Sequence, residues 1–139
     1  MSEAGNILVI DDSETLLASV EARLVAEGFD VIATTQTIGN ARHLRAVDLV
    51  IIDFHMPGID GGGVAESLRR AATEKSAALL YVYTSDEKVA ADYKSHGFDG
   101  AFTRKGDLDA LADQVRAAFR LMRTRATREK LDARRRSGP

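Results

Sequence analysis

Five apolar runs recur along the chain, and each is separated from the next by a segment of different pattern. Continuous apolar runs of this length are typical of parallel strands that are covered on both faces of a sheet. The runs are residues 6–10, 29–33, 48–52, 77–83 and 100–103. We therefore predict five buried strands.

The segments between and after these runs have the spacing of helices. In the first, apolar residues recur at helical intervals from Leu16 to Val25, and Gly28 follows as a stop signal. The other predicted helices are a weak one over about 38–45, one that carries Val64 and Leu68, one that Ser85 or Asp86 caps and His96-Gly97 ends, and one from Asp107 to Met122. Strict alternation of strand and helix predicts an α/β fold, a doubly wound five-stranded parallel sheet with five helices on its two faces.

Composition narrows the class of protein. A chain of 139 residues with 45% hydrophobic and 29% charged residues is typical of one soluble globular domain. The absence of Cys excludes disulfides, thiolate metal sites and a cysteine nucleophile. With no bilayer-length apolar run and no apolar signal-peptide region, we expect a cytoplasmic protein that does not enter the membrane.

The net charge of −2 conceals two oppositely charged parts. Residues 117–139 contain eight Lys or Arg and two acidic residues, whereas residues 1–116 carry a net charge of −8. The body is therefore acidic and the C-terminal segment is strongly basic.

Polar residues with distinct chemistry follow four of the predicted strands. Asp11 and Asp12 follow the first strand, Asp53 the third, Thr84 the fourth and Lys105 the fifth. In a doubly wound sheet these four strands are neighbours, and ligands bind beyond their carboxyl ends. Three carboxylates that meet at one edge repel one another unless a cation joins them, so the pattern favours a site for phosphate chemistry.

Each of these residue types suits one task of phosphoryl transfer to a carboxylate. Mg²⁺ is usually held by one or two carboxylates, which Asp12 and Asp53 can supply. A carboxylate can also act as the nucleophile and form an aspartyl phosphate. Lys105 and the metal would neutralise the phosphoryl oxygens, and Thr84 could donate a hydrogen bond to one of them.

The ordered set of motifs resembles the receiver domains of two-component response regulators. The residues that carry the resemblance are Asp11-Asp12, the segment 53–61 (DFHMPGIDG), Thr84-Ser85, and Phe102 three residues before Lys105. It covers residues 6 to about 122 in matching order and spacing. The resemblance implies a flavodoxin-like sheet with strand order 2-1-3-4-5.

The resemblance also implies an acceptor and a cofactor. It makes Asp53 the phosphoacceptor and Mg²⁺ the metal. Asp12, Asp53 and the backbone carbonyl of His55 would be ligands, and Asp11 would contribute mainly through water. The protein would be a signalling switch rather than an enzyme, because it catalyses only its own phosphorylation and dephosphorylation.

Further roles follow from matching positions. Thr84 and Lys105 would contact the phosphoryl group, and Phe102 would be the aromatic switch that swings inward as Thr84 moves. His55 and Asp86 occupy variable positions beside the phosphate, which should tune the lifetime of the aspartyl phosphate.

One position departs from the family pattern. The lysine of the family is commonly followed by proline, whereas Lys105 is followed by Gly106. We therefore expect a less rigid loop and a less fixed position for Lys105.

The implied partners are a sensor histidine kinase or histidine phosphotransfer protein, which donates the phosphoryl group, and a downstream protein target. Kinase specificity would lie on the first helix, around 15–23. The target would bind the face formed by the fourth helix, fifth strand and fifth helix of the predicted fold. This face includes Ala90, Tyr93, Lys94, Ala101, Phe102, Asp109 and Asp113.

The predicted domain division is a receiver domain at 1–122 and a basic helical extension or tail at 123–139, which is too short for an output domain. The tail is either a solvated helix extension or a docking segment for an acidic partner, another subunit or unspecific nucleic acid. No aromatic residue lies beyond Phe119, so the tail offers no platform for base stacking.

Two other functions compete with a phosphorylatable receiver. A pseudo-receiver would bind partners without phosphorylation, but the five residues at the strand ends are intact. An aspartyl-phosphate hydrolase of the haloacid dehalogenase type needs Asp-x-Asp after its first strand, where this chain has Asp11-Asp12-Ser13.

Overall fold

A computed structural model describes residues 4–72 and 77–137. Within these residues the strands are β1 Asn6–Ile10, β2 Asp30–Thr34, β3 Leu49–Asp53, β4 Leu79–Tyr83 and β5 Gly100–Phe102. The α-helices are α1 Glu14–Ala26, α2 Gly61–Ala71, α3 Glu87–Ala91 and α4 Leu108–Ser137. Two short 3₁₀ turns, Ala41–His43 and Tyr93–His96, complete the set of elements in the described part of the chain.

The five strands form one parallel sheet in the order β2-β1-β3-β4-β5, which confirms the predicted fold. Ile10 pairs with Ile52, and each is followed in the chain by an aspartate, Asp11 and Asp53. Asp53 pairs with Tyr83, which pairs with Phe102. The register therefore brings the carboxyl ends of β1, β3, β4 and β5 to one edge of the sheet.

The sheet separates two apolar layers, because successive residues of a strand point to opposite faces. On one face Ile7 and Ile51 pack with buried residues of α1 and α4, including Leu24 and Leu111. On the other face Leu8, Val50 and Val82 pack with residues such as Val64 and Leu68 of α2 and Val89 of α3. All these side chains are at most 7% exposed, so the strand ends project from a rigid base.

Two helices differ from their predictions. The predicted helix over 38–45 is only the turn Ala41–His43, because Gly39 has a φ of +80° and few apolar residues follow it. The predicted helix that ends at Gly97 is split at Asp92 into α3 and a 3₁₀ turn. As predicted, Gly28 and Gly97 follow the helical segments with positive φ values of 101° and 92°.

The last helix continues far beyond the domain body. α4 runs without interruption to Ser137, and residues 123–136 are all exposed. The final residues 138–139 of the predicted tail lie outside the described part. No helix among the described residues is both long and apolar enough to cross a membrane.

Candidate functional site

Three carboxylates meet at the carboxyl edge of the sheet. Asp11 and Asp12 follow β1, and Asp53 is the last residue of β3. One carboxylate oxygen from each lies within 4.8 Å of the others. Asp11 and Asp53 are each only 3% exposed, whereas Asp12 is exposed to solvent. We call these three residues the acidic cluster.

The Lys105 side chain enters this cluster from the loop after β5. Its Nζ lies 2.5 Å from Asp53 Oδ1 and 3.2 Å from Asp11 Oδ2. The Lys105 side chain is 22% exposed, so water screens these contacts less than it would on an open surface. One ammonium group thus pairs with two of the three carboxylates, which leaves negative charge in the cluster for a further cation to neutralise.

The surroundings change the pKa values of both members of the central ion pair. The pKa of Asp53 is raised from its ordinary value to about 6. Burial is the main cause and the charge of Asp11 adds to it, while the hydrogen bond from Lys105 opposes both. Burial lowers the pKa of Lys105, but the hydrogen bond to Asp53 and the charge of Asp11 outweigh it, so the pKa is raised overall. Lys105 is therefore cationic at neutral pH, whereas the surroundings of Asp53 disfavour its ionised form.

Local structure fixes the two buried carboxylates. Asp11 Oδ1 accepts the N–H of Ser13 at 2.9 Å, and the hydroxyl of Ser13 accepts the N–H of Leu16 at the start of α1. Beside Asp53, Gly61 begins α2 so close to the strand that an added Cβ would lie 2.5 Å from the Asp53 carbonyl oxygen. Glycine at this position therefore allows α2 to pack against the end of β3.

The donor set of the acidic cluster fits Mg²⁺. Magnesium prefers carboxylate and carbonyl oxygens and usually keeps several waters, for which the exposed side of Asp12 leaves room. Asp11, Asp12 and Asp53 are the side chains that would hold it, and the backbone carbonyl of His55 remains a predicted ligand beside them.

Thr84 and Phe102 lie at the ends of the two neighbouring strands. Thr84 is 2% exposed; its Oγ1 accepts the N–H of Asp86 at 3.0 Å, and its own N–H donates to the Phe102 carbonyl at 3.0 Å. The Phe102 ring is buried and stacks on Tyr81 with centroids 4.6 Å apart. Phe102 thus lies in the core beneath α4, and its backbone is joined directly to Thr84.

The two residues predicted to tune the lifetime of the phosphate contact each other. His55 Nε2 lies 3.1 Å from Asp86 Oδ2. Asp86 also caps α3 by accepting the N–H groups of Lys88 and Val89. The hydrogen bond from Val89, followed by the one from His55, lowers the pKa of Asp86, so it is an anion at neutral pH. The pair joins the loop after β3 to the loop after β4.

Sequence reasoning missed one polar residue beside the site. Tyr83 is 1% exposed, and its hydroxyl oxygen accepts the N–H of Gly106 at 2.9 Å. A tyrosine at the end of a buried strand carries a hydroxyl that needs a partner, and this was the signal available in the sequence.

Comparison with known proteins identifies the class. Residues 7–116 match the family model of the response regulator receiver domain, so the chain belongs to that family. It is 31% identical over 125 residues to the transcriptional regulatory protein PrrA of Mycobacterium leprae, covering 87% of this chain and 52% of PrrA. It is 25% identical over 115 residues to the CAI-1 autoinducer sensor kinase/phosphatase CqsS of Vibrio cholerae, covering 80% of this chain and 17% of CqsS. The chain therefore spans about half of PrrA and a smaller part of CqsS.

Solved structures show the same fold. The chemotaxis response regulator CheY4 of Vibrio cholerae aligns with a TM-score of 0.68 and 20% identity, covering 81% of this chain and 96% of CheY4. The response regulator TrrA of Thermotoga maritima, solved in complex with Mg(2+)-BeF, aligns with a TM-score of 0.64 and 25% identity over 81% of this chain and 96% of TrrA. Each alignment covers nearly the whole of the solved chain, so the likeness extends over the entire fold of these two proteins.

Proposed function

We propose that the protein is a phosphorylatable receiver that accepts a phosphoryl group on Asp53 from a phosphohistidine of a sensor kinase or a histidine phosphotransfer protein. The observation that carries the proposal is the acidic cluster with the Lys105 Nζ 2.5 Å from Asp53 Oδ1. Membership of the receiver family and the similarity to part of a sensor kinase/phosphatase support it.

The proposed reaction has two steps. A carboxylate oxygen of Asp53 attacks the phosphorus, a P–O bond forms, and the P–N bond breaks as the imidazole nitrogen leaves with the electron pair. Later a water oxygen attacks the phosphorus, the bond to Asp53 breaks, and inorganic phosphate leaves. In both steps Lys105 neutralises charge on the equatorial phosphoryl oxygens, and Thr84 donates a hydrogen bond to one of them.

We propose Mg²⁺ as the cofactor. When bound at Asp11, Asp12, Asp53 and the His55 carbonyl, it would neutralise the carboxylates and the phosphoryl oxygens. The Mg(2+)-BeF complex of the related TrrA supports this choice.

A mass measurement tests the proposal. After incubation with acetyl phosphate and Mg²⁺, we expect the intact protein to gain about 80 Da, the mass of one phosphoryl group. Phosphorylated histidine kinase is the second donor, because some receivers refuse small donors. No gain from either donor would contradict phosphorylation and leave a pseudo-receiver.

We propose that the phosphorylated state is read on the face formed by α3, β5 and α4. Phe102 belongs to this face, and its carbonyl accepts the Thr84 N–H, so movement of Thr84 toward a phosphate reaches it directly. Arg23 of α1 donates to Asp109 of α4 at 2.6 Å, which ties the proposed kinase-binding helix to the same face.

The exposed part of α4 presents a cationic face. On a helix with 100° per residue, six of the eight cations in residues 117–137 fall within an arc of roughly 160°. These six, which we call the cationic face, are Arg120, Arg123, Arg128, Lys130, Arg134 and Arg135. Met122, which packs against the core, and both acidic residues, Glu129 and Asp132, lie outside this arc. The cationic face therefore points away from the domain body.

We propose that the cationic face binds the phosphate backbone of nucleic acid without sequence preference. It is a linear array roughly 25 Å long, which suits a linear polyanion. Its described positions include one apolar residue, Leu131, and no aromatic anchor of the kind on which protein interfaces depend. An acidic protein partner, including a second copy, is the competing occupant.

Two charge-matched double variants test this binding. We expect fluorescence anisotropy to show that the protein binds a labelled DNA duplex at about 50 mM salt, with an affinity that falls as the salt concentration rises. Arg123→Gln/Arg128→Gln, on the cationic face, should weaken binding about tenfold more than Arg125→Gln/Arg136→Gln, off it. No binding at low salt, or equal losses for both variants, would contradict the proposal; sedimentation of a dimer without DNA would point to a second copy.

A further inference from the structure

The loop that carries Lys105 is fixed at both ends. At its start, Gln114 of α4 accepts the N–H of Thr103 at 2.9 Å and donates to the Thr103 carbonyl at 3.1 Å. At its end, Asp107 donates its N–H to the Arg104 carbonyl at 2.9 Å and caps α4 by accepting the N–H of Ala110 at 3.0 Å. Lys105 lies between these anchors, so its position depends on the middle of the loop.

The middle of the loop is attached to the sheet through Gly106. Its N–H donates to the Tyr83 hydroxyl oxygen at 2.9 Å, and its φ is +98°, which glycine adopts freely. A proline in its place, which is common in the family, has no N–H and cannot make this bond. Tyr83 directly precedes Thr84, so one hydrogen bond joins the neighbours of the two proposed phosphoryl-contacting residues.

We propose that Tyr83 is a positioning residue for Lys105: its hydroxyl holds Gly106 and thereby keeps the Lys105 ammonium within reach of Asp53. The inference rests on the proposed function and gives it a chain-specific device in place of the proline. The loop is held by two hydrogen bonds at each end and by the bond from Gly106 to Tyr83 in its middle. In this arrangement the Lys105 Nζ lies 2.5 Å from Asp53 Oδ1 and 3.2 Å from Asp11 Oδ2.

The hydroxyl can be separated from the packing role of the ring. The Tyr83 ring lies in the core layer with Phe102 and Leu111, and Tyr83→Phe keeps that ring while removing one oxygen atom. Tyr81 provides the matched control, because it lies two residues earlier on β4, borders the same layer and stacks on Phe102. Each of the two variants therefore loses one hydroxyl oxygen and keeps its aromatic ring in or against the same core layer.

Phosphorylation kinetics test the positioning role. We expect Tyr83→Phe to slow the acetyl phosphate reaction about 5- to 20-fold, as for the loss of one hydrogen bond made by a buried side chain, while Tyr81→Phe stays within about 2-fold. In a Lys105→Met background, Tyr83→Phe should change the rate by less than about 2-fold, because it acts through Lys105.

The outcomes separate the two proposals. If wild type is not phosphorylated at all, the proposed function fails. If wild type reacts but Tyr83→Phe reacts as fast, or if its loss is undiminished in the Lys105→Met background, the positioning role of Tyr83 is overturned. Circular dichroism of each variant verifies that the fold is retained.

Discussion

Asp53→Asn is expected to abolish the gain of about 80 Da that wild type shows with acetyl phosphate and Mg²⁺. The amide has nearly the same shape as the carboxylate but is not a nucleophile, so no acyl phosphate forms. Intact-mass spectrometry at saturating donor measures the loss directly, as a modified fraction that falls to background.

An exposed aspartate provides the control. Asp30→Asn changes a residue at the opposite, amino end of its strand, far from the carboxyl edge of the sheet, and should be modified like wild type. A gain of about 80 Da in Asp53→Asn equal to that of wild type would show that another group is the acceptor, with Asp12 the first alternative.

In the absence of metal, Asp53→Asn should also be more stable to unfolding than wild type. Burial raises the pKa of Asp53 to about 6 in the folded protein, above its ordinary value of 3.8, so the folded carboxylate is unfavourable at pH 8. This penalty corresponds to roughly 1–3 kcal/mol, which the neutral amide avoids. The advantage should shrink as pH falls from 6 to 4, where wild-type Asp53 becomes protonated, and thermal unfolding without metal measures it. A loss of phosphorylation with gained stability cannot be due to misfolding.

The strands themselves could be predicted because their apolar pattern is unusually plain, whereas their order in the sheet was implied by the resemblance to receiver domains. The runs 6–10 and 48–52 are continuous and end in acidic residues, and parallel strands covered on both faces require such runs. The segment around 38–45 was less predictable because Gly39 and a few weakly spaced apolar residues support both a helix and a turn.

The residues of the site also differ in how far their positions could be predicted from the sequence. Asp11, Asp12 and Asp53 follow their strands directly, so the sheet alone brings them together. The bond between Tyr83 and Gly106 depends on the path of a loop that no periodic pattern describes. Sequence therefore indicated that the Lys105 loop departs from the family pattern, while only the structure shows the contact to which we assign the role of the missing proline.

Lys105→Met is expected to slow phosphorylation about 100-fold, since removing one group that stabilises transition-state charge costs about this much. Methionine keeps the apolar stem and removes the ammonium that lies 2.5 Å from Asp53. The rate of mass gain with acetyl phosphate measures the effect. The control is Lys94→Met, which changes an exposed lysine of the turn after α3 and should leave the rate within about 2-fold.

Magnesium binding should respond in the opposite direction. In Lys105→Met the acidic cluster loses the positive charge that pairs with Asp11 and Asp53, and no ammonium group repels an incoming cation. We therefore expect Lys105→Met to bind Mg²⁺ several-fold more tightly in calorimetry while it reacts about 100-fold more slowly. A damaged site would lose both properties together. Weaker magnesium binding alongside slower phosphorylation would thus mean that Lys105 supports the structure of the site, and tighter binding with slower reaction would assign it to the charge of the phosphoryl group.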